Sequence, residues 1–207
     1  MKKILFILVT SVILLSATCH KQSCTNDYSF EIPFSITELD SFRIGDTIWL
    51  NSIITNKLVD KNSMSNIDIS NFDFKINCGL FRVDTSAVEQ AEPYFKVINK
   101  IGKLDIKYLS SIIESKVIYE KGIENRMFKI GLIPQKVGIF KISFFNLTED
   151  LENVKVTESE CNSNIKLHYN MNSGRDFNYY LIQKSPRSIV SEEEYKKDGA
   201  YAFKIIK

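Results

Sequence analysis

Hydrophobic residues recur at every second position in several short runs of this chain. Phe72, Phe74, Ile76, Cys78 and Leu80 alternate with Asp73, Lys75, Asn77 and Gly79, a period of two that predicts a strand with one buried and one wet face. Phe30, Ile32, Phe34 and Ile36 alternate in the same way; Pro33 among them predicts an edge strand, and the fold is expected to begin near Ser29. Phe42 and Ile44, a Gly45-Asp46 turn, and Thr47 through Ile54 read as strand, turn, strand, with Trp49 on the face opposite Ile48 and Leu50. Phe128, Ile130 and Leu132 lead to Pro134; a turn through Gly138 follows, then Phe140, Ile142 and Phe144, which predicts a hairpin or a corner between two sheets. Ile165 to Tyr169 and the run Tyr201, Phe203, Ile205 supply further strands.

Helical signals are short. Ser86 to Glu92 before Pro93, Asp176 to Ile182, and a segment opened by a Ser191/Glu194 capping box and ending near Lys197 are the candidates. Asp105 to Tyr119 mixes helical and strand character. Asn56 to Asn71 is rich in Asn, Ser, Asp and Lys and reads as a long mobile loop, and 149–163 as an acidic connection. Many short strands with few helices predict a mainly β domain, an antiparallel sandwich with short helical insertions. The run Phe42-Arg43-Ile44-Gly45-Asp46-Thr47-Ile48 resembles the second-strand entry of bacterial immunoglobulin-like domains. Pro134 through Gly138 to Phe140 is similar to their penultimate corner, with Phe140 where that family commonly has tyrosine. The resemblance implies an immunoglobulin-like sandwich and no activity.

The first residues are of another kind. Lys2 and Lys3 precede an apolar run from Ile4 to Leu15, and Ser16-Ala17-Thr18 precede Cys19. A basic start, a short apolar stretch and small residues make a secretion signal, too short to span a bilayer. Small residues directly before cysteine resemble the lipobox of bacterial lipoproteins, which implies removal of residues 1–18 and a lipid on Cys19. Residues 19–28 then form a tether and residues 29–207 the domain. A soluble product cut near Ala17 or Thr18, and an uncleaved anchor, stay open. The resemblance places the protein in the bacterial cell envelope, anchored by palmitate to the outer membrane and periplasmic or surface-exposed.

Charge and cysteine counts change with that signal. The full chain has 27 Lys and Arg against 25 Asp and Glu, and removing Lys2 and Lys3 leaves an even balance. A neutral chain disfavours nucleic acid as a partner. Lipidation of Cys19 leaves Cys24, Cys78 and Cys161, so at most one internal bridge forms; Cys78 with Cys161 is the candidate pair, against Cys78 as a small buried hydrophobe.

Chemistry is sparse. The only histidines are His20 and His168, and no nucleophile elbow, zinc spacing or phosphate loop occurs. No catalytic residue, metal site or cofactor is expected. Asp73, Glu149, Asp150, Glu152 and Asp176 are the carboxylates from which a glycoside hydrolase pair would have to come, and the acidic stretch 149–152 lacks the pattern of a calcium loop. Trp49, Tyr169, Asn172, Tyr179 and Tyr180 are the candidate ligand-binding residues, because aromatic faces and amides suit glycan or protein surfaces. The expectation is a non-enzymatic envelope lipoprotein that binds a protein or glycan or acts as a scaffold, with an envelope glycoside hydrolase or a structural subunit of an envelope assembly as the other classes.

Overall fold

The computed structural model describes residues 25–207, apart from 72, 88, 111, 146–161, 173–176, 184, 186–190 and 198. Two sheets face each other. The first is built from β1 (Thr25–Ile36), β3 (Ile48–Thr55), β8 (Phe95–Ile101), β11 (Glu120–Lys121), β12 (Asn125–Pro134) and β14 (Asn162–Met171). Its order is β11, β12, β3, β1, β14, with β8 also on β12. The second runs β2 (Ser41–Arg43), β15 (Tyr201–Ile206), β13 (Gly138–Phe145), β6 (Lys75–Arg82), β10 (Ile113–Ile118), β9 (Lys103–Tyr108), with β7 (Glu89–Gln90) beside β6. A small hairpin pairs β4 (Lys57–Val59) with β5 (Asn66–Asp68).

Alternation decides which side chains meet between the layers. Phe34, Leu50, Phe128 and Ile130 of the first sheet and Ile76, Leu80, Ile142, Phe144 and Phe203 of the second are buried. Phe34 packs on Phe144 with ring centroids 4.1 Å apart, and Phe95 meets Phe140 edge-on at 5.1 Å. Burying an aromatic or branched side chain contributes about 1.5–3 kcal/mol, so this double row of rings supplies the main cohesion. Between β12 and β13 the chain turns at Pro134–Gly138 from one sheet into the other, so the predicted hairpin or corner is a corner. β8 passes into β9 at Gly102, whose φ of +63° and a virtual Cβ 2.5 Å from the Ile118 carbonyl leave room for no side chain.

Five expectations are corrected. The sheets are mixed, because β14 runs parallel to β1 over ten residue pairs and β15 runs parallel to β2. The late strands return beside the early ones in the same direction, a pairing that no local period encodes. β1 is interior to its sheet, between β3 and β14; its ladder to β3 covers only Ser35 and Ile36, so Pro33 lies beside a stretch with no β3 bonds to lose. The strand also begins at Thr25, so Thr25 to Tyr28, assigned to the tether, are its first residues. Ser86 to Glu92 is not helical: β7 occupies Glu89–Gln90, and a 3-10 turn at Glu92–Tyr94 follows with Pro93 inside it. The polar stretch 56–71 is the β4–β5 hairpin with Leu58, Ile67 and Ile69 buried.

The ambiguous 105–119 segment is the β9–β10 hairpin. Two short helices close the fold. α1 (Tyr179–Gln183) buries Leu181 and Ile182, and α2 (Glu192–Lys197) buries Tyr195. α2 opens on the predicted capping box: the Glu194 amide donates to Ser191 Oγ at 3.2 Å and the Ser191 amide to Glu194 Oε2 at 3.2 Å. Among the described residues no helix is long and apolar enough to cross a membrane.

Candidate binding face around Trp49

Odd-numbered residues of β3 face outward because Ile48, Leu50, Ser52 and Ile54 face the core. Trp49 therefore lies on the outer surface of the first sheet, half-buried. Register places Gly131 of β12 directly opposite it and Ile98 of β8 next in line. A Cβ at residue 131 would lie 3.1 Å and 3.3 Å from the six-membered ring of the indole. Only a glycine lets that ring rest against the strand backbone.

Two ammonium groups lie close to the ring. Lys129 Nζ lies 5.4 Å and Lys100 Nζ 6.0 Å from its centroid, within cation–π range. Lys129 faces Asn51 and Ile101 across its two neighbours, and a register shift between Lys129 and Ile130 lets Lys100 reach this surface. One row further, Lys96 faces Ile133. At the opposite margin Glu120 faces Met127, and its carboxylate accepts the Gly102 amide at 3.1 Å. The rows through Ile133, Gly131 and Lys129, with Lys100 at the register shift beside them, thus carry three lysines, a tryptophan and no acid.

The other half of the same surface is neutralised. On β1, Glu31 forms an ion pair with Lys61 at 3.0 Å and accepts the Asn170 side-chain amide at 3.1 Å. His168 faces Glu31 from β14, and Asn170 faces Pro33.

The remaining sequence-selected residues do not join Trp49 on this face. Tyr169 is buried between the layers, 5.6 Å from the Phe34 ring, and burial pushes its hydroxyl pKa up. Asn172 is also buried, at φ +46°, and its Oδ1 accepts the Ile36 amide at 2.8 Å; that is a structural peg. Tyr179 packs on Tyr195 of α2, and exposed Tyr180 donates to Asp40 Oδ2 at 2.5 Å, which holds that carboxylate below its ordinary range. Cys78 is a buried free thiol, its pKa raised first by desolvation and then by Glu92. Cys161, Cys19, Cys24, Glu149, Asp150, Glu152 and Asp176 lie outside the described residues, and Asp73 is exposed beside Lys75 at 3.7 Å. Among the described residues no three His, Cys, Asp or Glu side chains cluster as metal ligands would.

Other polar groups are committed to the framework. Asp60 is fully buried: Oδ1 accepts the Ser29 amide at 2.6 Å, and Oδ2 accepts the Asn62 and Ser63 amides and the Ser63 hydroxyl. The Ser29 amide is the chief reason its pKa falls from 3.8 to about 2, against the opposing effect of burial. Arg126, equally enclosed, donates from Nε and Nη2 to the Ile69 carbonyl at 3.0 and 2.6 Å and from Nη2 to the Ser70 carbonyl at 2.9 Å. Glu92 fills a gap in the second sheet, where its Oε1 accepts the Leu80 amide and the Ser115 hydroxyl; burial raises its pKa.

Sequence reasoning placed Trp49 on the outward face but missed Gly131, Lys100 and Lys129. A glycine inside the strong alternation of β12 was the available signal, since such a residue marks close approach of another group. No protein-family model matches the chain, and no curated protein matches it.

Proposed function

We propose that this chain is a non-enzymatic, lipid-anchored module of the bacterial cell envelope whose sandwich binds a protein or glycan partner through the Trp49 face. The observation that carries the reading is an indole held on a glycine-cleared strand surface with two lysine ammonium groups at 5.4 and 6.0 Å from its ring. A tryptophan in a monomer's interior secures packing, whereas one on an outer sheet surface offers a flat apolar area with polar groups at its rim. An immunoglobulin-like form of the sandwich is part of the proposal. Its two motifs touch in space, since the Gly45 amide donates to the Pro134 carbonyl at 3.2 Å, and Phe140 is buried at the corner. The signal and Cys19 supply the anchor, with the lipobox-like residues as support.

Retention on isolated envelope material tests the binding role. Trp49→Ala is expected to lose retention by about tenfold with its fold intact, in line with an interfacial aromatic anchor of about 1.4 kcal/mol or more. Equal retention removes this face from the reading. The anchor is tested separately: Cys19→Ala should end palmitate incorporation and release the chain from the membrane fraction, and unchanged labelling rejects it.

A further inference from the structure

The charge on the Trp49 face is one-sided although residues 19–207 carry equal numbers of basic and acidic residues. We infer that the ligand of this face is an anionic polysaccharide, a sugar chain bearing carboxylate or sulfate groups; the inference rests on the binding role proposed above for the same residues.

Three observations carry it. The ammonium groups of Lys100 and Lys129 lie at 6.0 and 5.4 Å from the indole centroid, so a sugar ring stacked on the indole has its acidic substituent within reach of both. No acid stands at the outward positions of the three rows through Ile133, Gly131 and Lys129, so among the described residues of these rows an anion meets no opposing carboxylate. The indole lies against the Gly131 backbone rather than standing out from the sheet. A recessed ring cannot insert between lipid acyl chains, which interfacial membrane binding requires, but it gives a level surface. Three strands at about 4.8 Å spacing make a strip about 10 Å across, the width of one sugar chain lying along it.

Trp49 is the only tryptophan of the chain, so its fluorescence reports on this face alone. Titration of the full chain with polygalacturonate and with heparin is expected to give a saturable change in emission for at least one of them, which also separates carboxylate from sulfate as the recognised group. Fully methyl-esterified polygalacturonan should give none. The K100Q/K129Q double variant should bind at least tenfold more weakly with an unchanged circular dichroism spectrum, and added salt should weaken the wild type. Equal response to the neutral ester overturns the inference in favour of a neutral glycan. A response to poly-glutamate alone overturns it in favour of an acidic protein, and one to phosphatidylglycerol vesicles alone in favour of a membrane. If no polyanion binds while Trp49-dependent envelope retention persists, the ligand class is wrong and the binding role stands; if retention is also independent of Trp49, both fall.

Discussion

The β4–β5 hairpin beside the first sheet and the Trp49 face on it both carry charged side chains, and they use them in opposite ways. At the hairpin two charges are enclosed and committed: Asp60 takes backbone amides from Ser29, Asn62 and Ser63, and Arg126 gives its protons to the carbonyls of Ile69 and Ser70. At Trp49 the lysines meet only an aromatic ring and face no acid across the neighbouring strands. Enclosed charges with all bonds made hold structure, because removing one leaves its partners unpaired in a dry place. Surface charges that meet no acid among the described residues contribute little to stability and keep their electrostatic potential for an incoming ligand.

The contrast can be broken most severely at Arg126. Arg126→Ala should destabilise the domain by about 3–5 kcal/mol, since two carbonyls lose their donors in a buried site; chemical denaturation measures it, and a loss below 1 kcal/mol would mean that the guanidinium is dispensable. Asp60→Ala should cost about 2–3 kcal/mol by the same logic. Its pH signature follows from the depressed pKa. The carboxylate is harder to protonate folded than unfolded, so its contribution is complete above the ordinary value of 3.8 and fades as pH falls towards about 2. Denaturation midpoints of wild type and Asp60→Ala should therefore converge through that window; a gap that stays constant to pH 2 would contradict the assigned bonds.

On the Trp49 side the order of effects reverses. Gly131→Val should cost about 1–3 kcal/mol, since its Cβ would meet Thr47 Cγ2 at 2.9 Å and the indole at 3.1 Å, while lifting the indole off the sheet, shifting its emission to the red and abolishing ligand retention. An unchanged emission maximum would show that the glycine does not seat the ring. Lys100→Gln and Lys129→Gln should each change stability by less than about 0.5 kcal/mol and still weaken binding. A stability loss as large as that of Asp60→Ala would erase the distinction between the two regions.

The same contrast explains how much was legible in the chain. Strands β3, β6, β12, β13 and β15 announce themselves through alternation, and α2 through Ser191 and Glu194, because those signals lie within a few residues. The outward placement of Trp49 follows from its two neighbours. The β4–β5 hairpin reads as loop because its polar residues are held by the bond that the Ser29 amide donates to Asp60, thirty-one positions away. Parallel pairing of β1 with β14 joins residues more than a hundred apart. The seat of Trp49 needs the β3–β12–β8 register before Gly131 and the two lysines can be seen beside it. Period and capping are local properties of a sequence; register is not.

The ten-residue parallel ladder between β1 and β14 also sets how the domain responds to a pull. Force drawn on the chain at Thr25 acts along the strand axis, so β1 is loaded in shear against β14, and the ladder bonds share the load instead of opening one after another from an end. A force ramp applied at Thr25 should therefore meet a high rupture force, whereas peeling β9 from the far edge of the second sheet should need much less.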